Sequence, residues 1–231
     1  MGKKIFQKKK LKKAVVFGST GLVGRSLVKQ LLDHPEYSAV TCINRREQSI
    51  EHSKYKEIID DLSDTSKLSE FITGEDVFCC LGTTIKKAGS RENFEKVDLE
   101  LPLAIGKACE QKNVHHYLVV SSIGADAKSG NFYLRTKGTM EEAVRKMNIS
   151  HKTIVRPSML LGKRDEFRLG EQIGKVLMKI AAPLMFGNWK KYRAIQAGEV
   201  AKAMLVIANS SPSGRVIFES NELHEIADSE T

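Results

Sequence analysis

Short apolar runs and helical-period stripes alternate along almost the whole chain. Ala14–Gly18 (AVVFG) is apolar throughout, the pattern of a strand covered on both faces. Beyond it Leu22, Val23, Leu27, Val28, Leu31 and Leu32 recur at helical spacing, and His34-Pro35 ends the helix. Further strands are predicted at Ala39–Asn44, Lys56–Asp61, Asp76–Leu81, His116–Ser122, Thr153–Val155 and Val216–Glu219. Helices are predicted at Phe94–Lys112 (with a kink at Pro102), Tyr133–Met147, Ile173–Leu184 and Gly198–Ala208. Strands separated by helical stretches imply right-handed crossovers, hence an α/β architecture with a doubly wound parallel sheet. Periodicity is poorest over 162–197, which is read as a small C-terminal elaboration of a single domain.

Composition changes this picture little. The chain has 231 residues, 41% hydrophobic and 28% charged, ordinary values that exclude disordered, collagen-like and coiled-coil classes. No apolar run approaches a membrane span. The net charge of +9 comes largely from residues 1–13, which hold seven lysines and no acid. Without them 30 basic and 28 acidic residues remain, so 1–13 is expected to be a disordered basic tail and 14–231 the folded domain. A weak arm for nucleic acid or anionic lipid is the alternative role for the tail. Cys42, Cys79, Cys80 and Cys109 have neither metal-ligand spacing nor a secretory context, and predict reduced thiols in a cytoplasmic protein. His115-His116 has no acid or cysteine at ligand spacing, so no metal site is expected.

The first candidate chemistry directly follows the first strand. In Gly18-Ser19-Thr20-Gly21-Leu22-Val23-Gly24, Gly18 allows a tight strand-to-helix turn, Gly21 lets a pyrophosphate approach the backbone, and Gly24 lets the helix pack close to the sheet. The helix N-terminus would then present free N–H groups to phosphate. At the end of the second strand an acid would select NAD. Asn44-Arg45-Arg46 stands there instead, and two guanidiniums suit a 2′-phosphate, so NADP(H) is expected over NAD(H). Asp61 and Leu62 after the third strand would flank the adenine, and Leu81, Gly82 and Thr83 after the fourth would pass beneath the cofactor.

Tyr133 and Lys137 stand four apart, on one face of the helix after the fifth strand. An ammonium beside a phenol favours the phenolate, which can exchange a proton with a carbonyl or alcohol. A plain surface pair is the alternative.

Gly18-x-x-Gly21-x-x-Gly24, the Ser121-Ser122-Ile123-Gly124-Ala125-Asp126 segment, Tyr133-x-x-x-Lys137 and Arg156-Pro157 together resemble the short-chain dehydrogenase/reductase superfamily. Within it the chain is similar to the atypical, short Tat-interacting-protein-like oxidoreductases and their bacterial relatives, from about Ala14 to about Ile226. That resemblance implies a Rossmann fold of about seven parallel strands, NADP(H) binding, tyrosine as general acid/base and lysine on the ribose. It places the cofactor on Ser19, Thr20, Gly21, Leu22, Arg45, Arg46, Leu81, Gly82, Tyr133 and Lys137, with Leu160 by the nicotinamide and Arg168 reaching cofactor or substrate. The superfamily's third catalytic group is a Ser or Thr after the fifth strand. Ser122 is the candidate here, although a strict register falls on Ile123, and the choice between Ser121 and Ser122 stays open. The implied activity is an NADPH-dependent oxidoreductase acting on a small carbonyl or alcohol, with 162–197 a substrate lid. An NADPH-binding sensor acting through a protein partner is the alternative, and a homodimer is left open.

Overall fold

The computed structural model of the protein describes residues 10–162, 192–210 and 214–229. The predicted helix over Ile173–Leu184 and the candidate Arg168 lie outside these residues. Seven parallel strands form one sheet in the order β3-β2-β1-β4-β5-β6-β9. They are β1 (Lys12–Phe17), β2 (Tyr37–Asn44), β3 (Tyr55–Ile59), β4 (Asp76–Cys79), β5 (His116–Val120), β6 (His151–Arg156) and β9 (Ile217–Glu219). The order reverses at β1, which places a crevice over the C-terminal ends of β1 and β4. Two further short strands, β7 (Leu160–Leu161) and β8 (Ile195–Gln196), pair parallel to each other at its rim.

Successive residues of β1 serve opposite faces. Ala14 and Val16 join Leu27 and Leu31 of α1 (Leu22–Asp33) and Val200 and Met204 of α7 (Ala197–Asn209). Val15 and Phe17 join Ile105 of α5 (Leu101–Gln111) and Met140 and Val144 of α6 (Phe132–Lys146). Both faces are therefore buried, which is why the strand reads as an unbroken apolar run. Shorter helices α2 (Leu68–Phe71), α3 (Ile85–Ala88) and α4 (Arg91–Glu95), with a terminal α8 (Ser220–Asp228), complete the layers.

Three boundaries depart from expectation. The strand β1 begins at Lys12, inside the segment assigned to the tail. Its amine donates to Asp76 Oδ2 at 3.0 Å and to the Ala208 carbonyl at 2.6 Å, so the lysine stitches β1 to β4 and to the end of α7. The single helix expected over Phe94–Lys112 is α4, a wide π turn at Lys96–Glu100, and α5. Pro102 has no N–H to give the carbonyl four residues back, that of Asp98, and its ring crowds that turn, which accounts for the widening. Finally α8 was not expected, because most of its residues are polar. It buries Leu223 and Ala227 and is started by reciprocal Glu219 and Glu222 capping.

Candidate functional site: a cleft at the carboxyl edge of the sheet

A cleft of about 750 Å³ opens over the crevice. Its walls are Thr20–Val23, Cys80–Thr84, Val120 and Ser121, Tyr133 and Lys137, with Leu160–Gly162 and Gln196–Gly198 at the rim.

The glycine loop builds one end. Gly18 has φ +79°, and a Cβ there would stand 2.7 Å from the Cys80 carbonyl carbon. A Cβ on Gly24 would stand 2.9 Å from the Gly18 carbonyl carbon. Both glycines are spent on packing turn against strand and helix, and neither lines the cleft. Gly21 caps α1 without any side-chain acceptor, and the first turn holds no acid. The leading N–H groups of α1 thus face the cleft as a site for phosphate.

The other end is set by α6, whose N-cap Asn131 accepts from Leu134 N at 3.2 Å. Tyr133 packs on the fully buried Phe94, ring centroids 5.5 Å apart. Lys137 is 3% exposed; its amine lies 2.8 Å from Asp98 Oδ1 and donates to the Val120 carbonyl at 3.3 Å. Burial disfavours that ammonium, but the charges of Asp98 and then Tyr133 hold its pKa above the ordinary lysine value. Asp98 accepts from Thr83 N at 2.8 Å through its other oxygen.

Ser121 Oγ donates to Glu141 Oε1 at 2.5 Å. Its one proton is committed there, so it offers the cleft only lone pairs. Arg156 grips the same carboxylate from Nε at 2.9 and 3.1 Å, and reaches Glu219 Oε1 at 2.9 Å and the Ala125 carbonyl at 3.1 Å.

Thr20, Gly21, Leu22, Leu81, Gly82, Thr83, Tyr133, Lys137 and Leu160 line this one cleft. Several candidates do not join them. Ser122, half-buried, turns its hydroxyl to the Ile123 carbonyl at 3.3 Å, and Ser121 holds the place at the end of β5. Leu62, in a left-handed conformation at φ +62°, is buried in the core, while the exposed Asp61 accepts from Ser63 N at 2.9 Å. Ser19 is buried and donates to Asn44 Oδ1. Asn44 in turn donates to Glu57 Oε1 at 2.5 Å, so both ends of its amide are engaged within the fold. Arg45 and Arg46 are exposed just past β2, outside this cleft, with no ion pair among the described residues. Sequence reasoning missed Asp98. The available signal was an acid at helical spacing from the apolar Phe94, Leu101, Pro102 and Ile105.

A parallel sheet carrying an uncapped glycine-started helix at its switch point, with a tyrosine and a buried lysine across the same cleft, defines a dinucleotide-binding α/β protein. The chain belongs to the NAD(P)H-binding family, which matches residues 18–182, and within it to the atypical short-chain dehydrogenases/reductases of the HTATIP2 type. It is 33% identical over 215 residues to Protein HTATIP2 of Rattus norvegicus, covering 91% of this chain and 87% of that one. It is also 33% identical over 232 residues to Protein FMP52, mitochondrial, of Candida albicans, covering 93% and 97%. Among solved structures, the Bordetella bronchiseptica enzyme WbmH in complex with NAD+ matches with a TM-score of 0.69 at 12% identity, covering 95% of this chain and 80% of that one. No described helix is long and apolar enough to cross a membrane.

Proposed function

We propose that the protein is an NADPH-dependent oxidoreductase acting on a small carbonyl or alcohol, with Tyr133 as general acid/base. The observation that carries the reading is that Tyr133 and Lys137 line the same cleft as the uncapped N-terminus of α1. Leu22 and the amides of Thr20 and Gly21 would hold the cofactor's phosphates, Leu81 and Gly82 would lie beneath it, and Lys137 would meet its ribose. When bound, the nicotinamide supplies or takes up hydride. Tyr133 gives its phenolic proton to the substrate oxygen in reduction and takes it back in oxidation. With its proton tied to Glu141, Ser121 is an acceptor towards substrate, so of these two hydroxyls Tyr133 is the one that supplies the hydrogen bond to a carbonyl oxygen. Arg45 and Arg46, which have no ion pair among the described residues and follow Asn44 rather than an acid at the end of β2, support NADPH over NADH.

Titrating NADPH and NADH into wild type, Arg45→Ala/Arg46→Ala and Tyr133→Phe tests both parts. NADPH should bind at least ~10-fold tighter than NADH, about 1.4 kcal/mol, and the double variant should lose that preference. Tyr133→Phe should bind NADPH as wild type does and lose carbonyl-dependent NADPH consumption; equal turnover in the variant removes tyrosine from the chemistry. The committed proton of Ser121 also favours a second reading, an NADPH-responsive binding protein with little turnover. Under it, tight NADPH binding comes with no consumption across a carbonyl panel. Buried, unpaired Cys42, Cys79 and Cys109 favour a reducing cytoplasm, and cell fractionation decides between that and the mitochondrion named for the Candida relative.

A further inference from the structure

Four features converge on Asp98. It sits in the π turn at Lys96–Glu100, where Pro102 widens the helix. Its side chain is 1% exposed, at the floor of the cleft. One oxygen meets Lys137 Nζ at 2.8 Å, and the other accepts from Thr83 N at 2.8 Å. A buried carboxylate in an apolar helix is costly unless paired, and here both oxygens are used.

We infer that Asp98 is the counter-ion and positioning residue of Lys137: it keeps the buried ammonium charged and aimed within the cleft, and ties it to the β4–α3 loop through Thr83. This rests on the reading above, in which Lys137 contacts the cofactor. Lys137 Nζ forms an ion pair with Asp98 and donates to the Val120 carbonyl. The ionisable groups facing it are Asp98, Tyr133 one turn earlier on α6, and Cys79 of β4. Burial pushes the Cys79 thiol up to about 11, so it is neutral near pH 7, and the carboxyl group paired with the amine is that of Asp98. An unpaired buried lysine gives up its proton several pH units below its ordinary value. Without Asp98 the cleft therefore loses its ammonium as pH rises. With Asp98 it does not.

The test follows NADPH binding by fluorescence at pH 6 and pH 9 for wild type, Asp98→Asn and Lys137→Met, which requires no turnover. Asp98→Asn should bind within ~3-fold of wild type at pH 6 and at least ~10-fold more weakly at pH 9, where the unpaired lysine is neutral. Lys137→Met should be weakened by a similar factor at both pH values. A uniform loss in Asp98→Asn, equal at pH 6 and pH 9, overturns the counter-ion role and leaves Asp98 a mere brace for the Thr83 loop. Wild-type affinity in Lys137→Met at both pH values shows instead that Lys137 does not touch the cofactor, and the proposal falls with that reading. Should Asp98→Asn fail to fold, the melting temperature of Asp98→Asn/Lys137→Met decides. Recovery of folding when both charges are removed is the expected result for a buried pair; a double variant that also fails to fold overturns the assignment.

Discussion

Replacing Arg156 by methionine tests the buried network beneath the cleft most directly. The guanidinium shares its Nε–H between both oxygens of Glu141, donates to it again through its amino group at 2.5 Å, and then to Glu219 and Ala125. Its charge is held strongly: hydrogen bonding to Glu141 raises its pKa further above the ordinary arginine value. The Glu141 side chain is 3% exposed, so losing Arg156 leaves a buried carboxylate with only the Ser121 hydroxyl. Breaking a buried pair from one side costs about 3–5 kcal/mol. Arg156 is itself 19% exposed and Glu219 27%, so water softens the loss towards the lower figure. A loss of about 3 kcal/mol lowers the melting temperature by roughly 6–12 °C for a domain of this size. Urea unfolding followed by circular dichroism should show the midpoint fall at constant slope. Arg156→Lys should recover little, because one ammonium cannot span Glu141, Glu219 and the Ala125 carbonyl. Arg156→Met/Glu141→Gln should be more stable than Arg156→Met alone. A loss below about 1 kcal/mol, the scale of an exposed pair, would refute the reasoning by showing that solvent already screens this carboxylate.

Three other perturbations carry definite outcomes. Burial, then His151 and His115, push the His116 pKa down to about 3, so the unfolded chain takes its proton first. Stability is full above about pH 6.5 and falls by roughly 1.4 kcal/mol per pH unit below it. Urea midpoints between pH 7 and pH 4 should fall steeply in wild type and more gently in His116→Gln; equal slopes would exclude His116 as the cause. A Cβ on Gly138 would stand 2.7 Å from Asp126 Cα and closer still to the next amide, so Gly138→Ala should cost about 1–3 kcal/mol or more and shift α6 with its Tyr133 and Lys137. Melting and NADPH titration should both register it, and a variant unchanged in both would show that the loop yields freely. Asn44→Asp would set a carboxylate against Glu57, where the amide now donates at 2.5 Å, and should lower stability by about 1–3 kcal/mol at pH 8 but less at pH 4.5. An unchanged melting temperature together with a gain of NADH binding would contradict that geometry.

The doubly wound sheet was legible because covered parallel strands must be apolar throughout: AVVFG and DVFCCL admit few other homes. The glycine loop and the Tyr133/Lys137 pair were legible because both depend on spacing within a single element. What escaped depends on partners distant in the chain. Nothing local to Ser121 says that its hydroxyl is held by Glu141 twenty positions away. Lys12 looks like tail until Asp76 and the end of α7 are brought beside it. Asp98 looks like a surface acid on a long helix until Pro102 widens the turn and Lys137 arrives from another element.

The pairing of β7 with β8 has a consequence for how such proteins diverge. Leu160 stands beside Ile195 and Leu161 beside Gln196, and Ile195 N donates to the Met159 carbonyl at 3.0 Å. The chain thus leaves the framework and rejoins it at one doorway on the rim of the cleft. Closing a loop between fixed ends depends only logarithmically on its length, about 0.6 kcal/mol per doubling. A segment that replaced residues 163–191 would therefore meet the same two adjacent ends, with the sheet, the glycine turn and the tyrosine–lysine helix left as they are.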